Sequence, residues 1–252
     1  MPLIGGTLGY QLLKRLAPGG IGQSRMDGSA YANQSKIEVL LGAPVLDALK
    51  GRVVVDFGCG TGEDAIALAK RGATKVIGID IQQSFLDIAI ADAKTEGVDD
   101  IVTFATALAS KVDAVVSIDA FEHFDDPAEI LRLVATLMRP DGRFYISFGP
   151  TWYHPLGGHL FSIFPWAHLI FSERAFIRWR SDFKTDGATR FREVAGGLNQ
   201  MTIKRFEQYV EQSPLCFERL EPVPIRSLAP LHGRFTREFS TAIVRATLRH
   251  RI

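Results

Sequence analysis

The sequence predicts an α/β fold: a mostly parallel sheet with helices on both faces. Three observations carry that prediction. Residues 53–62 read Val-Val-Val-Asp-Phe-Gly-Cys-Gly-Thr-Gly, a β-branched run stopped by alternating glycines, as when a buried parallel strand enters a tight turn. A second apolar run, from Lys75 to Ile79, ends in an acidic residue, Asp80. Between residues 50 and 150, strand-like runs alternate with helix-length amphipathic segments.

In order along the chain, residues 1–30 are glycine-rich, and Gly19-Gly20-Ile21-Gly22 reads as a loop. Tyr31 to Leu41 fits a helix with Ile37, Leu40 and Leu41 on one face, and Leu46 to Leu49 leads toward the first strand. Strands are expected at 52–56, 75–79, 101–105, 112–118 and 143–148, with helices at 63–71, 84–96 and 127–138. Ser84 is placed to cap the second of these helices. Pro127 suits the first position of the third, where a missing N–H costs little. The rhythm breaks after Phe148. Residues 149–200 contain an aromatic-rich stretch and a charged one without a clear strand. A capped helix is expected from Thr202 to about Gln212, then strands at 216–222 and 238–248. The chain therefore reads as one domain: an N-terminal cap (1–50), a ligand-binding core (51–150), a lid (151–200), and a final helix with two strands (201–252).

Composition narrows the function. The 252 residues carry 29 basic against 28 acidic side chains, a net charge of +1, which gives no reason to expect nucleic acid. The basic residues thicken toward the end, from Arg219 through Arg226, Arg234, Arg237, Arg245 and Arg249 to Arg251, which reads as a solvated face. Cys59 and Cys216 lack metal-ligand spacing, and no disulfide framework is implied, which suits a reducing, cytoplasmic setting. The start lacks a basic segment and a long apolar run, so no signal peptide is expected. The apolar stretch from Leu160 to Phe171 contains Pro165 and His168 and is shorter than the ~20 residues needed to span a bilayer.

Asp56-x-Gly58-x-Gly60-x-Gly62 followed by a strand ending in Asp80 resembles the class I S-adenosylmethionine-dependent methyltransferases. Dinucleotide dehydrogenases space their glycines differently, as G-x-G-x-x-G. Two later segments agree. Asp113 to Phe124 resembles the family's fourth-strand motif. Leu137-Met138-Arg139-Pro140-Asp141-Gly142 resembles its turn into the fifth strand, with Asp141 in place of a glycine. The resemblance implies a Rossmann-like, mostly parallel seven-stranded sheet, an antiparallel last strand, and a lid inserted after strand five.

It also implies S-adenosylmethionine as cofactor, held by Asp56, Gly58, Cys59, Gly60, Gly62, Asp80, Ile81, Thr106 and Asp119. In this reading Asp56 meets the methionyl ammonium, main-chain amides around Gly58, Cys59 and Gly60 face the methionyl and ribosyl part, Asp80 takes the ribose hydroxyls, and Ile81 lies against adenine. The acid that many relatives carry after the third strand is missing, and Thr106 stands near its place. Asp119-x-x-Glu122-His123 is similar to a motif of the ubiquinone-biosynthesis O-methyltransferases associated with a divalent cation such as Mg. Three readings stay open. His123, with Glu122, acts as base or positions the acceptor; Asp119, Glu122 and His123 bind the metal; or the Glu-His pair is structural.

Between residues 152 and 171 fall three histidines and two of the three tryptophans, which suits an acceptor pocket with polar handles. Trp152, Tyr153, His154 and His159 are the acceptor-side candidates, and Gly157-Gly158 is a candidate hinge. Residues 159–180, apolar and flanked by Arg174, Arg178 and Arg180, also fit peripheral membrane contact. The expected activity is methyl transfer to a small-molecule acceptor, preferentially at a hydroxyl oxygen. Alternatives are transfer to carbon or nitrogen of a small or lipid-like acceptor, or a non-catalytic cofactor-binding regulator.

Overall fold

The computed structural model describes residues 3–20, 36–108, 110–194 and 197–251. The expected helix at 31–35 and the loop at 21–22 lie outside them. Among the described residues, seven strands form one sheet: β1 (Val53–Phe57), β2 (Lys75–Ile79), β3 (Val102–Ala105), β4 (Val112–Ile118), β5 (Met138–Phe148), β6 (Leu215–Pro224) and β7 (Thr241–His250), in the order β3-β2-β1-β4-β5-β7-β6. The first five pair in parallel, and β7 runs antiparallel to both β5 and β6. The strand order reverses beside β1, so β1 and β4 splay their carboxyl ends around a crevice.

Helices cover both faces because β1 and β4 are apolar on both sides. Val54, Val76, Ala114 and Val116 pack under α2 (Lys36–Leu41), α3 (Ala43–Leu49), α4 (Glu63–Lys70) and α5 (Gln83–Thr95). Val55, Val115, Phe144 and Phe148 pack under α6 (Pro127–Leu137) and α9 (Ile203–Glu211). Pro127 opens α6 as expected, with the Asp126 carboxylate accepting from Glu129 N at 3.0 Å. Thr202 caps α9 by accepting from Arg205 N at 3.0 Å.

Two boundaries differ from expectation. Ser84 does not cap α5. Gln82 holds that position, and the Asp80 carboxylate accepts from its N–H at 2.9 Å. β5 begins at Met138, directly after α6, not at Arg143. Met138 pairs with Val112, and the register then shifts, so Pro140-Asp141-Gly142 bulges out of the ladder before Ala114 meets Arg143.

The segment after β5 is helical, which its sequence did not show. It holds α7 (Ala167–Ile170) and α8 (Glu173–Arg180), which pack with the N-terminal helix α1 (Gly6–Leu16) around a third core. Leu13, Phe161, Phe171, Phe176, Trp179 and Phe191 form its centre. Trp179 Nε1 donates to Ala17 O at 2.7 Å, tying α8 to the end of α1. Gly157 and Gly158 are buried packing points, not a free hinge. A Cβ on Gly157 would lie 2.2 Å from Thr151 O, and one on Gly158 would lie 2.5 Å from His168 Cβ. No helix among the described residues is long and apolar enough to cross a membrane.

Candidate functional site

The crevice is built from the turn after β1. Gly58, Gly60 and Gly62 have φ of 80°, 51° and 82°, the left-handed region that other residues avoid. Their missing side chains serve different ends. A Cβ at Gly62 would sit 2.7 Å from both Ala89 and Phe104, so that glycine lets α4 pack on α5 and β3. At Gly58 it would meet Ala120 at 2.9 Å, against the turn after β4. At Gly60 it would meet nothing within 4 Å among the described residues. Gly60 is therefore the position of the three that opens on free space, as a cradle for a ligand requires.

The amides of this turn are not left pointing into the crevice. Gly58 N and Cys59 N both donate to Ile79 O, at 2.8 and 3.0 Å, and Gly60 N donates to Asp80 Oδ2 at 3.0 Å. The expectation that these three amides face a cofactor is thus corrected: they lock β1 to β2. Burial, reinforced by the Asp56 and Asp80 charges, pushes the Cys59 thiol up, so it is inert at neutral pH. The Asp80 carboxylate is held at the crevice edge by Gly60 N on one oxygen and Gln82 N on the other. Each oxygen keeps a further lone pair for a ribose hydroxyl. Beside it Ile81 is 89% exposed, an apolar surface suited to an adenine face. Thr106 is exposed just beyond β3.

Asp56 is buried beneath the turn. Its Oδ2 has no partner among the described residues. Burial first and the Asp64 charge second push its carboxyl well above the usual range. Lys36, on α2, was not singled out in the sequence. Its ammonium lies 3.0 Å from Asp64 Oδ2 and 3.6 Å from Asp119 Oδ2, so it brings a cation from the N-terminal cap to the end of β4. Burial disfavours that charge, but Asp64 and Asp119 outweigh it and hold the ammonium protonated. No signal in the sequence near Lys36 marks it, because its partners come from α4 and β4.

After β4, Asp119 takes φ 50° and turns the chain into a 3₁₀ turn, Phe121–His123. Burial raises the Asp119 carboxyl, against the opposing charge of Lys36. Glu122 is 3% exposed; its Oε1 accepts from Gly149 N at 3.1 Å, and Oε2 has no partner among the described residues. Burial, with the Asp119 charge, pushes its carboxyl up to about 8. The catalytic assignment of Glu122 is therefore corrected. It is a neutral brace between the turn and the end of β5, not a base open to a substrate. The three-residue metal set does not converge either. Asp119 faces Lys36, Glu122 faces Gly149 and His123 faces Gly197, and no group of three or more His, Cys, Asp or Glu among the described residues could hold a metal ion.

His123 is half-buried. Its Nδ1 lies 2.7 Å from Gly197 O, and a carbonyl can only accept, so Nδ1 carries a proton and, in the neutral ring, the lone pair lies on Nε2. Asn199 holds this turn in place: its side-chain amide donates to Phe121 O at 2.8 Å and Phe124 O at 3.0 Å, and its backbone N–H donates to Glu122 O. A Cβ at Gly197 would lie 2.2 Å from Arg192 O, so only glycine brings that carbonyl to His123.

Of the acceptor-side candidates, His159 reaches His123, with ring centroids 5.4 Å apart and planes at 85°. Burial first, then the neighbouring His123 ring, lowers its pKa to about 3, and its Nε2 has no partner among the described residues. Tyr153 is exposed and stacks on Phe239, with centroids 5.2 Å apart. Trp152 and His154 are half-buried and have partners within the protein. Trp152 lies between His168 and Phe191. His154 Nδ1 accepts from Leu156 N at 2.9 Å, and burial lowers its pKa to about 4.

Known proteins resemble this chain in sequence and in fold. The catalogued methyltransferase-domain family matches residues 27–212. A ubiquinone biosynthesis O-methyltransferase of Neisseria meningitidis serogroup C is 38% identical over 106 residues, which is 39% of this chain and 44% of the relative. The match thus spans under half the length of that curated relative. A magnesium protoporphyrin IX methyltransferase of Synechocystis PCC 6803 with SAH bound shares the fold at TM-score 0.56 and 20% identity, over 96% of this chain and 94% of that one. An S-adenosylmethionine-dependent methyltransferase of Mesorhizobium loti does so at TM-score 0.54 and 19% identity, over 82% of this chain and 96% of that one. The glycine turn closed onto Asp80, the reversed seventh strand and a family match across most of the chain lead to one assignment: this chain belongs to the class I S-adenosylmethionine-dependent methyltransferases.

Proposed function

We propose that the chain transfers the methyl group of S-adenosylmethionine to a hydroxyl oxygen of a small-molecule acceptor, with His123 Nε2 taking the hydroxyl proton. The observation that carries this reading is the 2.7 Å contact of His123 Nδ1 with Gly197 O, which leaves Nε2 as an oriented base at the carboxyl end of β4. The cofactor supplies an electrophilic methyl with a good leaving group, so alignment and proton removal are the tasks left to the protein. Asp80 would take the ribose hydroxyls, Ile81 would cover adenine, and Gly60 would leave room for the ribosyl part. Lys36 and Asp119 supply opposite charges, which suit the methionyl carboxylate and ammonium respectively. His159, neutral and edge-on to His123, would limit how the acceptor approaches.

An acceptor screen with labelled cofactor, run with and without EDTA, tests the reading. Hydroxyl acceptors should be methylated and release S-adenosylhomocysteine. His123→Gln should lower turnover roughly 10²-fold or more while S-adenosylhomocysteine binding is kept. Methylation confined to nitrogen or carbon, or His123→Gln at full rate, would overturn it. Activity that vanishes in EDTA and returns with Mg would restore a cation to the Asp119, Glu122 and His123 cluster.

A further inference from the structure

The connection between β6 and β7, residues 225–240, is ordered yet carries large apolar side chains outward. Phe235 is 95% exposed and Leu231 68%. A side chain with so little protein around it stands on a convex tip. The tip is braced from within. Leu228 N donates to Ile225 O at 2.8 Å, Arg237 N to Gly233 O at 2.8 Å, and Gly233 N to Thr236 Oγ1 at 2.9 Å. Arg226 and Arg234, in the same connection, are exposed too. The single acid of the segment, Glu238, is turned away: it accepts from Ile203 N at 3.1 Å and Lys204 N at 2.8 Å at the start of α9. Arg237 is paired with Glu207. The exposed side chains of the connection thus include apolar and cationic ones and no acid.

We infer that this tip docks on an anionic lipid surface, with Leu231 and Phe235 entering the acyl boundary and Arg226 and Arg234 meeting lipid phosphates. The charge favours that occupant, since cationic side chains around exposed aromatics match an anionic headgroup layer. A protein partner fits less well, because a convex tip with two dominant apolar side chains offers far less than the ~800 Å² per side of a stable protein interface. In the segment first expected to meet a membrane, 159–180, the large aromatics point inward. Phe161, Phe171, Phe176 and Trp179 there are buried in the third core. Phe239 carries the tip to Tyr153, and the segment from Tyr153 leads to His159 at His123. Docking would therefore hold the acceptor side of the crevice near the lipid, a consequence that rests on the proposed acceptor site, whereas the docking itself does not.

Co-sedimentation of the full chain with phosphatidylcholine vesicles, with and without phosphatidylglycerol, tests the inference. Binding is expected with phosphatidylglycerol at low salt, and it should weaken as salt rises. Phe235→Ser with Leu231→Ser should lower the vesicle affinity at least about fivefold, and Arg226→Glu with Arg234→Glu should lower it further. Leu133→Ser, an exposed apolar change on α6, should bind as the wild type does. Calorimetric affinity for S-adenosylhomocysteine, which does not involve the tip, confirms that each variant is folded. Phe235→Trp offers a second readout, quenching by brominated lipid. Wild-type protein that ignores phosphatidylglycerol vesicles, tip variants that bind unchanged, or a tip-dependent dimer in sedimentation equilibrium would each overturn the inference.

Discussion

Asp80 and Glu122 show how differently two carboxylates can be used in one crevice. Asp80 sits at its edge, bonded by two amides and open to a ligand. Asp80→Ala should weaken cofactor binding at least about tenfold, because a charge-assisted contact to a diol is worth ~1.5–3 kcal/mol; calorimetry with S-adenosylhomocysteine reads this directly. Glu122 is buried with its carboxyl raised to about 8. A carboxyl raised in the folded state keeps its proton while the unfolded chain loses it, so the folded state loses stability as pH climbs from the ordinary carboxyl range toward 8. Glu122→Gln should remove that part of the decline, and denaturant titrations at pH 5 and pH 8 should show the variant gaining on the wild type at the higher pH. Asp80 was legible in the sequence because its position at a strand end, after a glycine turn, specifies its surroundings. The burial of Glu122 was not, because it depends on Gly149 approaching from β5. Lys36 and Asn199 were invisible for the same reason: every partner that gives them meaning lies far away in the chain.

Among elements, the parallel strands were legible because their β-branched runs are buried on both sides, and α6 and α9 because proline and threonine mark their starts. Ser84 failed as a cap because the Asp80 carboxylate already serves the amide of Gln82. The lid helices were missed since α7 and α8 are short and their aromatic faces answer to α1, from the other end of the chain. The segment 197–199 has no regular structure, yet it sets the His123 turn. Asn199→Ala should therefore slow turnover about tenfold or more while leaving cofactor affinity within about twofold, since a small misplacement of a base is costly to rate. Steady-state kinetics beside S-adenosylhomocysteine calorimetry separates the two effects. Equal losses in both would show that Asn199 holds the whole crevice and not the turn alone.

Across the whole molecule, the sheet with its two flanking cores carries the glycine turn and Asp80, while the third core is built largely from the segment after β5, which includes Phe161 beside His159. Trp179→Ala should destabilise that third core by roughly 3–5 kcal/mol, the usual range for truncating a large buried aromatic side chain. Calorimetric unfolding would then show a transition of the third core separating from the main one, with cofactor binding surviving it. The glycine turn has a further consequence. Its amides at Gly58, Cys59 and Gly60 find their acceptors, Ile79 O and Asp80 Oδ2, within the protein itself. An incoming nucleoside meets a receptor that has settled its own shape beforehand, so association freezes few additional torsions. Capture should accordingly follow a single kinetic phase, with a rate that rises linearly with ligand concentration and no plateau from a slow rearrangement.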